Sequence, residues 1–184
     1  MSYGVIPYAT FLSNFPTIYG IDDQQFKDKL MTSYNMFGSG ELDEQFEAPD
    51  YPTEREILRA FLNGKEFDIK AEGAKHWYLM EKLVSFISQS SPSNNNAWYP
   101  SGLGVMEHLG GCPAIKLFCL DEKGDIKLPV PDDFPVVYSI FNADLQAAEE
   151  HIQASGVTDE QKAEFSGWIE EAREMEGDVI LFLY

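Results

Sequence analysis

The end of the chain is the feature that most constrains its fold. Six consecutive residues, Val179 to Tyr184, are all aliphatic or aromatic and carry no charge. A strand with apolar side chains at every position has no side suited to water, so both of its faces need cover. The stretch therefore predicts a terminal strand that is enclosed on both faces, or on one face by a second subunit.

A long helix is predicted just before this strand. Thr158 and Gln161 have the spacing of a capping box, which starts a helix that runs to about Glu176. Gly177 is placed to close that helix. Its expected buried stripe consists of Phe165, Trp168, Ile169, Ala172 and Met175.

The connectivity of the last third predicts the direction of two strands. A strand is expected from Val136 to Phe141, followed by a helix from about Ala143 to Ala154 that Asn142 caps. Two helices joined by a short turn thus separate this strand from the terminal one, so the chain goes out and back. We expect the two strands to be antiparallel, whereas a single crossover helix makes strands parallel.

The first part of the chain predicts a further strand and several helices. Ser2 to Leu12 is rich in β-branched and aromatic residues, with Pro7 as an irregularity or a sheet-edge position. Three further helices are expected: one over about 22–37, one that begins at a capping box of Thr53 and Glu56 and ends at Gly64, and one over about 74–89. An acidic connector over 41–50 lies between the first two. A short helix around 105–109 and a strand over 114–120 follow the third.

These elements predict an α+β fold with one globular domain over residues 1–184. The sheet is expected to be small and mainly antiparallel, to include the N- and C-terminal strands, and to pack with about five helices. A chain of 184 residues is long enough to bury a sizeable core in one domain. Residues 90–101 are expected to form a flexible loop, because Ser90 to Asn96 is a run of Ser, Asn and Pro.

The net charge of -18 restricts the partners of such a chain. From Pro129 onward there are 13 acidic residues and 2 basic ones, so the negative charge is concentrated in the last third. A strongly negative surface repels phosphates, which disfavours binding to nucleic acid or to an anionic membrane, and it favours a basic protein. Because neither a secretory signal nor a membrane-spanning apolar run is visible, the expected location is the cytoplasm.

Several acidic residues are candidates for contact with such a partner. They are Asp132 and Asp133 in a proline-bounded turn, and Glu149, Glu150, Glu170, Glu171 and Glu174 on the last two helices. The sharper interpretation is a landing surface for a basic protein. The simpler one is turn chemistry for the two aspartates and a solvated face for the helical glutamates.

Short motifs give the chain a resemblance to a known group. The start Met1-Ser-Tyr-Gly4, the turn Pro129-Val-Pro-Asp-Asp-Phe-Pro135, the pair Gly167-Trp168 and the ending Asp178 to Tyr184 resemble an uncharacterised bacterial family. The closing helix and strand are more loosely similar to YfbM-like proteins. The resemblance implies a bacterial cytosolic protein, and it implies no activity, cofactor or catalytic residue.

The common catalytic and nucleotide-binding motifs are absent from the sequence. There is no Gly-x-x-x-x-Gly-Lys-Ser/Thr loop and no Gly-x-Ser-x-Gly elbow. His108, Cys112 and Cys119 lie close in sequence, but no CxxC pair completes a four-ligand zinc site. We therefore predict no catalytic residue, no metal ligand and no cofactor.

Two functional hypotheses follow from these observations. The first is a non-enzymatic binding protein, of immunity or inhibitor type, that binds a basic protein through its acidic surface. The alternative is a small enzyme or ligand-binding domain whose site is assembled from dispersed residues near Cys112 and His108. Neither pattern predicts the oligomeric state.

Overall fold

The computed structural model describes residues 4–36, 40–47, 51–68, 73–88, 108–118, 127–133 and 135–184. The chain divides into two compact units. The first unit comprises Met1–Leu12, Leu83–Phe118 and Phe134–Tyr184, and the second comprises Ser13–Lys82 and Cys119–Asp133. The expectation of one domain over residues 1–184 stays a prediction.

Four strands and seven α-helices lie wholly within the described residues. The strands are β1 (Val5–Thr10), β2 (Lys116–Leu117), β3 (Val136–Ile140) and β4 (Asp178–Leu183). The helices are α1 (Phe15–Ile18), α2 (Gln24–Met36), α3 (Glu41–Gln45), α4 (Glu54–Leu62), α5 (Ala74–Ile87), α6 (Leu145–Ala154) and α7 (Asp159–Glu174). Two 3-10 helices, Leu12–Asn14 and Asn142–Asp144, follow β1 and β3. The predicted α+β class is therefore confirmed.

The first unit is built on a four-stranded antiparallel sheet in the order β1-β4-β3-β2. β4 lies between β1 and β3, and Leu183 pairs with Val5 on one side and with Val136 on the other. The antiparallel direction of β3 and β4 agrees with the prediction from connectivity. The terminal strand thus lies in the interior of the sheet, as a strand without a polar face requires.

Both faces of β4 are buried. Val179, Leu181 and Leu183 on one face belong to a core that also contains Phe165 and Trp168 of α7. On the opposite face the ring of Phe182 meets Tyr8 of β1 edge-on, with ring centroids 6.0 Å apart. Every residue from Val179 to Phe182 has 0% exposure, so the expected cover on both faces is present within the protein.

One carboxylate connects the ends of two strands at the start of β4. Asp178 Oδ2 accepts the backbone amide hydrogen of Leu12, and Asp178 Oδ1 accepts that of Asn142, each over 2.8 Å. The two donors begin the 3-10 helices that follow β1 and β3. Their amides have no helical partner of their own, so the carboxylate satisfies both.

The predicted cap of α6 is wrong. The helix begins at Leu145 with Asp144 in the N-cap position, and no side chain caps it. Asn142 instead donates its side-chain amide to the carbonyl of Gly177 over 2.9 Å. A 3-10 turn between strand and helix moves Asn142 away from the helix start, which the spacing of residues does not reveal.

Both predicted capping boxes are confirmed. Thr158 accepts from the amide of Gln161 at the start of α7, and Thr53 accepts from that of Glu56 at the start of α4. In both boxes the side chain of the later residue accepts from the backbone of the threonine. Gly64 has φ 63°, so it ends α4 in the left-handed conformation that glycine adopts freely.

The end of α7 differs from the prediction in one respect. Glu176, with φ 55°, takes the left-handed position that was expected at Gly177. Gly177 donates its amide to the carbonyl of Ala172 over 2.8 Å, and a Cβ on it would lie 2.8 Å from the carbonyl oxygen of Thr10. Glycine is therefore needed there for the close approach of β1 rather than for its φ angle.

Several smaller predictions have other outcomes. The connector expected over 41–50 contains the short helix α3, and the strand expected over 114–120 shortens to Lys116–Leu117. Trp77 of α5 is half-buried and donates its indole hydrogen to the carbonyl oxygen of Pro129. The loop 90–101 and Cys119 lie outside the described residues, and of the helix around 105–109 only residues 108 and 109 are described, both as helical.

Candidate functional site

An open groove of about 640 Å³ lies along α6 and α7 in the first unit. Its lining residues are Gln146, Glu149, Glu150, Gln153, Ala154 and Arg173. The four from Gln146 to Gln153 recur at helical intervals of three and four, so they share one face of α6. The opposite face of α6 buries Leu145, Ala148 and Ile152, which fixes the orientation of the polar face.

The groove carries more negative than positive charge. Arg173 Nη1 lies 2.8 Å from Glu149 Oε2, so one carboxylate is already paired. Glu150 is exposed, and its Oε1 accepts a hydrogen bond from Gln146 Nε2 over 2.9 Å. Arg173 is the one cation among the lining residues, so the groove keeps one carboxylate in excess.

The remaining predicted glutamates lie on α7. Phe165 and Trp168 face the core, and a rotation of 100° per residue places Glu170 and Glu174 on the opposite side of the helix. Both are exposed, and Glu171 is half-buried beside them. None of these three glutamates lines the groove.

One further glutamate on α7, which the sequence analysis did not select, has a perturbed ionisation. Partial burial raises the pKa of Glu164, and the negative charge of Glu160 one turn earlier raises it further. Ionised Glu164 is thus less stable than an ordinary exposed glutamate. A positive charge placed here would relieve that cost.

Asp132 and Asp133 belong to the second unit and not to the groove. Both are exposed. The segment before them is anchored, because Trp77 Nε1 donates to the carbonyl oxygen of Pro129 over 2.9 Å. Gly73 lies so close that a Cβ on it would be 2.2 Å from the same oxygen. Val130, with 77% exposure, projects from this segment.

Cys112 and His108, the residues of the alternative hypothesis, both make contacts that stabilise the fold. Cys112 is 3% exposed and is part of the apolar core of the first unit. His108 Nε2 accepts from the backbone of Gly156 over 3.1 Å, and His151 Nε2 donates to the carbonyl of His108 over 3.0 Å. A thiol enclosed by apolar side chains is typical of packing, and reactive thiols are partly exposed.

In the described ranges, no group of three or more His, Cys, Asp and Glu residues is placed to hold a metal ion. The helices of these ranges include none with the length and apolar composition needed to cross a membrane.

A partly buried ion-pair cluster in the second unit, formed by Asp43, Glu54, Lys75 and Lys82, was not predicted from the sequence. Lys75 is 2% exposed, and its Nζ lies 2.5 Å from Asp43 Oδ1. Glu54 is 1% exposed, and its Oε1 lies 3.9 Å from Lys82 Nζ. The only sequence signal for this cluster is an Asp and a Glu in an acidic stretch, followed by lysines on a later helix.

The ionisation of Asp43 reflects this pairing. Burial raises the pKa of its carboxyl, but the hydrogen bond and the charge of Lys75 and the backbone amide of Glu54 outweigh that effect. The net result is a pKa below the usual range for aspartate. Asp43 is therefore held in the ionised form.

These features define an α+β protein with an acidic surface groove and a partly buried ion-pair cluster. The chain belongs to the family described as domain of unknown function DUF7691, whose model matches residues 1–184. The expected membership in an uncharacterised family is thereby confirmed. No curated protein and no solved structure matched the chain.

Proposed function

We propose that this protein binds a basic protein through the groove of α6 and α7, and that it acts as a binding protein of immunity or inhibitor type in the bacterial cytoplasm. The observation that carries the proposal is the charge of the groove. Glu149 and Glu150 stand side by side, and Arg173 neutralises only the first. A lysine or arginine of the partner would pair with Glu150.

The wider charge of the protein supports the same partner. A net charge of -18 attracts a basic protein over long range, and this raises the association rate more than the final affinity. Glu170, Glu171 and Glu174 add further negative charge to α7 outside the groove. Asp132 and Asp133 contribute to the same field without being part of the groove.

The proposal is tested by measuring the binding of an oligo-arginine peptide to the full chain by isotope-edited NMR. The amides of Glu149 and Glu150 and the side chain of Arg173 are expected to shift first. The double variant Glu149→Gln/Glu150→Gln should bind about tenfold more weakly, which corresponds to about 1.4 kcal/mol. Affinity should also fall as salt is added.

A matched control variant separates binding at the groove from attraction by the net charge of the whole protein. Glu44→Gln/Glu47→Gln removes the same charge from two exposed positions of the second unit. We expect it to bind almost as well as the unaltered chain. Equal losses in both double variants would show that only net charge matters, and the groove would then lose its proposed role.

The natural partner is tested with the same pair of variants. A basic protein captured from a bacterial lysate by the unaltered chain and by the control, but not by the groove variant, would fit the proposal. Capture that is equal for all three chains, or of neutral proteins alone, would contradict it.

A further inference from the structure

The helix α3 depends on contacts with other helices for its existence. It has only five residues, and an isolated helix of that length is not stable in water. Its N-cap residue is Gly40, with φ 105° and no side chain to cap the helix. The stability of α3 must therefore come from the residues it packs against.

Asp43 and Glu54 connect α3 to α4 through reciprocal hydrogen bonds. Glu54 Oε1 accepts the amide hydrogen of Leu42 in the first turn of α3. Asp43 Oδ1 accepts the amide hydrogen of Glu54 at the first position of α4, over 2.8 Å. Each carboxylate thus satisfies an amide that has no partner within its own helix. Loss of one of these hydrogen bonds therefore also weakens the other.

Asp43 and Glu54 are also the acidic partners of Lys75 and Lys82 in the ion-pair cluster. Lys75 Nζ is almost fully buried against Asp43, and a buried ammonium group is costly once its carboxylate is neutralised. Lys82 Nζ lies 3.3 Å from Glu41 Oε2 and 3.9 Å from Glu54 Oε1. The second oxygen of Glu54 is buried and accepts no hydrogen bond from any described residue. Among the described residues, the closed arrangement therefore leaves this one carboxylate oxygen unsatisfied.

We propose that α3 is an acid-released latch. Protonation of Asp43 weakens the hydrogen bond that its carboxylate accepts from the amide of Glu54, and it leaves Lys75 without its counter-charge. α3 then opens as a unit while α4 and α5 stay folded, and it uncovers Lys75 and the apolar contacts of Leu42. The charged groups that face the carboxylates are Glu41 on α3, Glu56 on α4, and Lys75 and Lys82 on α5. The latch lies in the second unit and does not rest on the proposed function of the groove.

Amide hydrogen exchange in the full chain tests the latch, because the amides of Leu42 and Glu54 each report one of the reciprocal bonds. Between about pH 7 and about pH 2.5, their protection factors should fall together by about tenfold or more. The amides of Leu62 in α4 and Ile180 in β4 should keep their protection. Loss of protection at all four amides together would mean global unfolding and would overturn the proposal.

Three variants sharpen the test. Asp43→Asn should lower the protection of Leu42 and Glu54 already at neutral pH, whereas Glu44→Gln, at an exposed position of the same helix, should not. Lys75→Met removes the buried charge while keeping a long side chain, so it should reduce the acid dependence even if Asp43→Asn does not fold. An unchanged acid dependence in Lys75→Met would contradict the latch.

Discussion

Leu12 and Asp178 are joined by a hydrogen bond although 166 positions separate them in the sequence. The carboxylate of Asp178 also accepts from Asn142, so it holds the turns after β1 and β3 against the start of β4. No local pattern in the sequence distinguishes this aspartate from the acidic residues around it. Its role appears only when β4 lies between its two neighbours.

Removal of this carboxylate should destabilise the first unit. Asp178→Ala leaves the amides of Leu12 and Asn142 without their acceptor, and we expect a loss of about 2–4 kcal/mol in the free energy of unfolding. Asp178→Asn keeps one acceptor and should lose about half as much. Urea denaturation measures both. Glu170→Ala, at an exposed helical position, should change stability by less than about 0.5 kcal/mol.

The two capping boxes should each contribute measurably to stability. Thr158→Ala removes the acceptor for the amide of Gln161 and should cost about 1 kcal/mol. Thr53→Ala should have a similar effect on α4. The serine variants keep the hydroxyl, so they should retain most of the stability in the same denaturation assay. Equal losses for Ala and Ser would show that the methyl group matters more than the hydrogen bond.

The two residues that end α7 should respond to substitution in opposite directions. Glu176→Gly relieves a positive φ and should stabilise the protein by about 0.5–1 kcal/mol. Gly177→Ala places a methyl group against the backbone of Thr10 and should destabilise it by about 1–3 kcal/mol. Thermal unfolding should show one higher and one lower midpoint. Stabilisation by both changes would refute the assigned roles.

Glu164 should affect stability in a pH-dependent way. Its pKa is raised in the folded protein, first by burial and then by Glu160, so its favourable contribution exists below its ordinary pKa and disappears as the pH rises through the raised value. Glu164→Gln should therefore raise the thermal midpoint at neutral pH and have a smaller effect in acid. Because the carboxyl is only partly buried and solvent screens its charge, the gain should stay below about 1 kcal/mol. Glu174→Gln, which removes the same charge from an exposed position of α7, is the matched control.

Much of the fold could be predicted because its signals are local or follow from chain order. Thr158 and Gln161 are three residues apart, and an N-cap contact needs only that spacing. The antiparallel pairing of β3 and β4 follows from the number of helices between them. Asn142 shows the limit of such reasoning, since an intervening 3-10 turn shifts α6 by a few residues.

The candidate site was less predictable. Glu149 and Glu150 could be placed on an exposed helix face, but the groove and the pairing of Glu149 with Arg173 need the relative positions of two helices. The cluster around Lys75 was missed entirely. An isolated lysine in a helix is normally exposed, whereas this one is buried and paired with Asp43 of α3, a residue far away in the sequence.

The sequence by itself determined the class of fold, the burial of β4, the starts of α4 and α7, and the acidic character of the surface. These properties depend on hydrophobic pattern, neighbours three or four residues apart, and summed charge. The tertiary structure alone decided which distant groups meet: Leu12 with Asp178, Asp43 with Lys75, and Glu149 with Arg173. Such pairs form only after the apolar core has brought the elements together, because a single ion pair or hydrogen bond contributes too little free energy to close a long loop on its own.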